Sequence, residues 1–264
     1  MRAGEWNDPR NASAAQDSAA PSVIARSSAL LGAFGPGDHT LGVSELARRT
    51  GLAKSTVHRL ARELTAHGLL ERDGGGLRLG LRLFELGQLV RRRQSLREAA
   101  WPFMTDLCTA TGATAQLAVL DGTEVVYLEI LVGSDAPDLP SRVGGRLPAH
   151  ATAVGKAILA FSPAVAVDEV LRGGLVRLSS RTIVTPGRLR RELATIREAG
   201  MAYDREESGL GIVCAAVPVI GPEGTAVAAL SVSGWSGRLR LPRIAAAVHT
   251  AGLALSRSHA AGPG

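Results

Sequence analysis

Between positions 54 and 62 the chain carries Lys54, Ser55, Thr56, His58, Arg59 and Arg62. These side chains suit nucleic-acid reading: Arg forks onto guanine, while Ser, Thr and Lys reach bases or phosphates. Val57, Leu60, Ala61 and Leu64 recur at i, i+3, i+4 and i+7. A helix would bury that stripe and leave Ser55, Thr56, Arg59 and Arg62 outward, with His58 near the edge. Just upstream, Val43, Leu46 and Ala47 form a second stripe. Gly51, in Thr50-Gly51-Leu52, stands where the chain must turn between two helices, and glycine takes positive φ at little cost. The alternative is an ordinary helical hairpin with solvated charges.

A second group of polar residues stands in apolar surroundings. Ser231 and Ser233 lie two apart in AVAALSVSG, hence on one face of a strand. Cys214 is in the middle of IVCAAVPVI, and Asp204 follows Tyr203 where a short strand should begin. Thr152, Ala153, Val154 and Gly155 open a helix whose free N–H groups would attract an anion. Hydroxyls and helix-end N–H groups suit a carboxylate; Asp204 suits a ligand hydroxyl or a protonated oxygen. An anion beside Asp204 is repelled unless one of the two is protonated. The alternatives are that the serines mark a strand end, that Cys214 is a small core hydrophobe, or that His150, Asp204 and Cys214 hold a metal. Cys108 reads as core.

Enzymatic motifs are missing. No His-x-x-x-His, G-x-S-x-G or G-x-G-x-x-G follows an expected strand. Gly155-Lys156 is no phosphate loop: His150 stands where its first glycine would be, and Ala157 replaces the Ser or Thr after the lysine. Two cysteines are too few for a disulfide framework. No run of about 18 apolar residues exists to span a membrane. The first twenty residues lack an apolar signal region and read as a disordered tail, so a cytoplasmic protein without membrane partners is expected. The net charge of +6 is concentrated. Residues 20–98 hold 13 Lys and Arg against 7 Asp and Glu, and the remainder is near balance. That is the footprint of a phosphate-binding segment.

Several elements must position these residues. Residues 21–34 read as a helix entered at Pro21, followed by a Gly35–Asp38 loop and the helical pair. Residues 69–72 and 77–79 read as a hairpin across Asp73-Gly74-Gly75-Gly76, a wing whose Arg72 and Arg78 could touch phosphates. Residues 81–90 are apolar on more than one face, as in a linker helix packed against its own domain and a second copy. Arg91, Arg92 and Arg93 follow, as a solvated helix end or a phosphate contact. Beyond them the pattern is mixed: helices at 96–111, 151–161, 164–171, from Thr185-Pro186 to Gly200, and 241–257. Strands are expected at 114–120 and 125–131 around Asp121-Gly122, near 142–148, and at 212–220 and 225–232. Strands paired by turns and interleaved with helices imply an antiparallel α+β domain. The expected division is a tail at 1–20, a DNA-binding domain at 21–80, a linker helix at 81–98, a second domain at 99–258 and a tail at 259–264.

From residue 23 to 240 the chain resembles the IclR family of bacterial transcriptional regulators. The resemblance rests on LGVSELARRTGLAKSTVHRLARELTAHGLLERDGGGLRLG, then HATAVGKA, REAGMAYDREE, GIVCAAVPV and SVSG in that order. It implies a mainly α winged helix-turn-helix, a linker helix, and a GAF-like α+β domain that binds a small organic or aromatic acid. It further implies homodimers, or tetramers built from them, on palindromic double-stranded operators, with no cofactor, no metal and no catalytic residue. Effector contacts in the family match Leu147, Ala153, Val154, Asp204, Ile212, Cys214, Ser231 and Ser233. Two departures stand out: Ala53 replaces the usual capping Ser or Pro, and Ala153-Val154 is bulkier than the small pair of some members. The expected function is a DNA-binding regulator, a repressor, controlled by a small molecule. Two alternatives remain. One is a stand-alone small-molecule-binding or enzymatic domain with a vestigial helix-turn-helix, which would lack steep salt dependence of DNA binding. The other is a metal-responsive regulator using His150, Asp204 and Cys214.

Overall fold

The computed structural model describes residues 21–260. The tail expected at 1–20 and residues 261–264 lie outside the described residues, as do the side chains of Arg91, Arg92 and Arg93. The chain divides into two compact units, Met1–Arg91 and Arg92–Gly264.

In the first unit, α1 (Val23–Gly32) is capped by Ser22, whose Oγ accepts the Ala25 N–H. Helices α2 (Val43–Thr50) and α3 (Lys54–Ala66) follow, joined through Gly51 at φ 69°. That left-handed conformation is open to glycine and strained for a residue with a Cβ. Strands β1 (Leu70–Asp73) and β2 (Gly76–Leu79) pair antiparallel as the wing. The apolar stripes meet as expected: Leu30, Leu46, Val57, Leu60, Leu70 and Leu77 form one core. Ala53 occupies the N-cap of α3 and gives it no side-chain hydrogen bond.

Helix α4 (Leu81–Gln88) departs from expectation in two ways. None of its residues is buried, and Leu81 and Phe84 are 63% and 64% exposed. Apolar residues spread round a helix outnumber those a single neighbouring surface can cover. Nor does one helix span 81–98. The Leu89 N–H turns back to Leu86 O and the Val90 N–H to Gly87 O, closing the last turn tightly. A new helix, α5 (Arg91–Thr111), then begins.

The second unit is a six-stranded antiparallel sheet in the order β5-β4-β3-β8-β7-β6. The strands are β3 (Thr114–Asp121), β4 (Glu124–Leu131), β5 (Arg146–Pro148), β6 (Ala202–Arg205), β7 (Ile212–Ile220) and β8 (Ala226–Trp235). Helices α5 and α9 (Leu241–Ala260) bury Ala215, Val217, Leu230 and Val232 on one face. Helices α6 (Ala153–Ala160), α7 (Ala164–Arg172) and α8 (Pro186–Ala199) enclose Ala118, Cys214, Ala216 and Ala229 on the other. The two-residue period of the strands thus sends alternate residues into two cores. Thr185 stands at the N-cap of α8 as expected, yet its side chain makes no capping bond.

Candidate effector pocket and DNA-reading surface

Strand register assembles one row across the sheet. Asp204 pairs with Cys214, Cys214 with Ser233, and Ser233 with Thr114. The next row holds Ala216, Ser231 and Gln116. Over these rows lies the start of α6. Thr152 caps it, its Oγ accepting the Gly155 N–H at 3.1 Å, while the N–H groups of Ala153 and Val154 have no acceptor among the described residues. A Cβ on Gly155 would lie 2.1 Å from Ala149 O. The Gly155-Lys156 pair therefore marks close packing of α6 on the turn before it.

Between α6, the sheet and a crossing strap at Leu139–Pro140–Ser141 is a cavity of ≈ 20 Å³, room for about one water. Leu147, Ala153, Val154, Asp204, Ile212, Cys214 and Ser233 line it. Ser231 does not: it is fully buried behind the wall, its Oγ 3.4 Å from Gln116 Oε1. Sequence reasoning missed Gln116, Tyr127, Ser141 and Ser208 in the lining. Gln116 organises the wall, since its Oε1 accepts from Ser233 Oγ at 2.9 Å and its Nε2 donates to Ser141 Oγ at 2.5 Å. The one available signal was a lone amide in the apolar run TAQLAVL.

Asp204 is 2% exposed and accepts the N–H groups of Glu207, at 2.6 Å, and Ser208. Burial pushes its carboxyl up to about 6; the hydrogen bonds from Ser208 and Glu207 oppose that rise. Burial likewise pushes the Cys214 thiol up to about 12, and it raises the Tyr127 phenol, so both are uncharged at neutral pH. His150 is lowered by burial, and its Nε2 lies 2.9 Å from Val176 O. Among the described residues no three His, Cys, Asp or Glu side chains are grouped as a metal requires. The His150, Asp204 and Cys214 trio is therefore not assembled as a metal site.

On α3, Lys54, Ser55, His58, Arg59 and Arg62 are exposed and Thr56 is half-buried. Arg62 reaches Glu63 at 3.4 Å. Lys54, Arg59 and the wing residue Arg72 form no ion pair among the described residues. Arg78 differs from them: it is 2.9 Å from Glu71 and 3.2 Å from Asp73. With the Leu81 N–H it holds the Glu71 carboxyl below its usual range. Part of the basic excess is thus neutralised internally, as it is where Arg49 bridges Asp38 at 2.5 Å and Glu45 at 2.8 Å.

Residues 23–74 match the IclR helix-turn-helix domain, and residues 88–257 match the C-terminal domain of bacterial transcriptional regulator IclR. The chain is 36% identical over 241 residues to the HTH-type transcriptional regulator XynR of Escherichia coli (strain K12), covering 89% of this chain and 96% of that one. It is 32% identical over 240 residues to the HTH-type transcriptional regulator KipR of Bacillus subtilis (strain 168), with the same coverages. An IclR homolog from Microbacterium hydrocarbonoxydans, solved in complex with 4-hydroxybenzoate, superposes with a TM-score of 0.83 at 33% identity, covering 91% of this chain and 100% of that one. The Thermotoga maritima IclR structure gives 0.73 at 29% identity, covering 90% and 98%. Among the described residues no helix is long and apolar enough to cross a membrane. The winged helix-turn-helix, the second unit with its enclosed polar cavity, and matches running through both place this chain in the IclR family of transcriptional regulators, with a DNA-binding N-terminal domain and an effector-binding C-terminal domain.

Proposed function

We propose that this protein is a cytoplasmic repressor whose hold on a palindromic operator changes when a small hydroxylated organic or aromatic acid enters the cavity beneath α6. The observation that carries this reading is the polarity of the cavity. Its lining combines the start of α6, where the Ala153 and Val154 N–H groups have no acceptor among the described residues, with Gln116, Thr152 and Ser233 and with the Asp204 carboxylate. A helix N-terminus suits a ligand carboxylate, and Asp204 suits a ligand hydroxyl. The 4-hydroxybenzoate bound by the Microbacterium homolog has both groups.

An acid of that size exceeds ≈ 20 Å³, so on this reading the cavity opens to admit it. Ligand-free and ligand-bound states then differ in structure, the condition for a ligand to shift an equilibrium. The exposed apolar face of α4, with Leu81, Phe84 and Leu86, supports homodimers, or tetramers of them, and a two-fold dimer matches a palindrome. Lys54, Ser55, Thr56, His58, Arg59, Arg62 and Arg72 form the proposed operator contacts.

The test is fluorescence anisotropy on DNA from upstream of the protein's own gene, with and without a panel of hydroxybenzoates and short hydroxy acids. We expect nanomolar-range binding and a shift of tenfold or so on adding the right acid. Operator affinity indifferent to every acid would defeat the effector assignment. A fall, rather than a rise, in reporter expression when the gene is deleted would defeat the repressor assignment.

A further inference from the structure

Beneath the pocket lies a buried charge cluster that the reading above leaves unused. Lys156 follows Gly155 on α6, and its side chain is fully buried. Its Nζ lies 2.6 Å from Glu207 Oε1 and 3.5 Å from Glu192 Oε1 on α8. Glu207 is 6% exposed, and its Oε2 has no hydrogen-bond partner among the described residues. A buried ion pair adds little net stability, because desolvation offsets the attraction. Its position is therefore more telling than its strength.

The Glu207 backbone N–H donates to Asp204 Oδ1 at 2.6 Å while the Glu207 side chain meets Lys156. The turn between them is held from outside. Ser179 Oγ donates to Glu206 O at 2.6 Å and Thr182 Oγ to Glu207 O at 2.7 Å, with Glu206 at φ 68°. The carboxylate that faces the cavity and the buried pair are therefore parts of one rigid unit. The charged and titratable groups around Asp204 are Glu207 on the same turn, Lys156 on α6, the Cys214 thiol on β7 and the Tyr127 phenol on β4. Glu192 on α8 touches Lys156, and His150 feels both members of the pair. The thiol and phenol are uncharged. Lys156 is opposed by Glu207 and, from the part-exposed rim, by Glu192, so the charge that faces the cavity itself is Asp204.

We propose that the buried Lys156–Glu207 pair is a compensated unit of the effector pocket: each charge cancels the other's effect at Asp204, so that Asp204 itself sets the sign of the pocket there, which takes a ligand presenting a hydroxyl or amine and rejects one presenting a second carboxylate. The inference rests on the cavity being the effector site. Without Lys156, Glu207 and Asp204 become two like charges in one buried volume, and one must protonate. Without Glu207, Lys156 keeps only the more distant Glu192 carboxylate, at 3.5 Å, and its less compensated charge favours the ionised form of Asp204.

The experiment is a carboxyl titration by ¹³C NMR on the full-length protein labelled at aspartate, with Asp204→Asn identifying the signal. Glu207→Gln should lower the Asp204 midpoint by about one pH unit or more. The double variant Lys156→Met with Glu207→Gln should restore it to near the wild-type value, and it avoids the unpaired buried carboxylate that threatens folding of Lys156→Met alone. An unmoved or raised midpoint in Glu207→Gln, or a double variant displaced as far as the single one, overturns the proposal. Calorimetry with the matched probes 4-hydroxybenzoate and terephthalate supplies the ligand readout. Wild type should prefer the hydroxy acid by about tenfold or more, and parity or preference for the diacid overturns the proposal. Binding of neither probe counts against the effector-site reading instead, and the titration, which needs no ligand or DNA, still decides the charge setting.

Discussion

At the residue scale, charge partners separate side chains of the same type. Arg59 is exposed and without an ion pair among the described residues, whereas Arg78 is clasped by Glu71 and Asp73. Arg59→Ala should weaken operator binding by about 1–3 kcal/mol, and Arg78→Ala by much less, since its charge is already spent within the wing. Anisotropy titrations of the two variants side by side check this; equal losses would contradict it. Asp204 makes a prediction about pH. Its carboxyl titrates at about 6 when folded, against an ordinary 3.8, so between those values the folded chain binds more protons than the unfolded one. The resulting stabilisation is full below the ordinary value and lost as pH rises through the folded one. Asn cannot titrate, yet its Oδ1 can still accept the Glu207 N–H. Urea unfolding should therefore show Asp204→Asn gaining on wild type between pH 4 and 7, by up to about 3 kcal/mol. A pH-independent difference would mean that the wild-type carboxyl is not raised. Asp204, Cys214 and Ser233 were legible because strand alternation puts them on one face. Gln116 and Ser141 were not, because their meeting depends on a loop returning 25 residues later.

At the element scale, periodicity located helices and strands well where one face is buried, and failed where burial is absent. β7 was expected at 212–220 and runs Ile212–Ile220. The apolar run of residues 81–90 places the end of the linker's first helix at Arg91–Arg93, whereas α4 ends at Gln88; the backbone bonds that close it at Leu89 and Val90 have no side-chain signature. Gly155 is the converse case, a local signal with a misleading precedent. Followed by lysine it invites comparison with a phosphate loop, and its actual task is to let α6 lie against Ala149 O. Gly155→Ala places a methyl 2.1 Å from that oxygen, so α6 or the turn before it must shift. Overpacking of this kind costs about 1–3 kcal/mol, and Ala153 and Val154, which line the cavity, would shift with the start of α6. We expect a lowered denaturant midpoint together with weakened effector binding, while operator binding without effector is kept. A variant as stable as wild type would show that the turn yields freely and that the close approach has no energetic weight.

At the scale of the whole molecule, the proposed DNA-reading residues and the polar cavity lie in different units. The former lie between Lys54 and Arg72, while every residue lining the cavity lies beyond position 115. A ligand in one unit changes DNA binding by the other through an equilibrium between states of the molecule. With ≈ 20 Å³ of space the cavity is smaller than an aromatic acid, so the proposed function requires the cavity to open when such an acid binds. If DNA and acid each prefer one arrangement, linkage makes their coupling reciprocal. The factor by which saturating acid changes operator affinity must equal the factor by which saturating operator changes acid affinity. Typical couplings correspond to about 5–150-fold. Anisotropy measures the first factor and calorimetry of the protein–operator complex the second, at one salt concentration because phosphate contacts are salt-dependent. Agreement in size and sign supports a two-state switch spanning both units. A large first factor with no second would show instead that the acid acts outside any binding equilibrium of the folded protein, as by precipitating it, and the cavity would lose its claim to be the regulatory site.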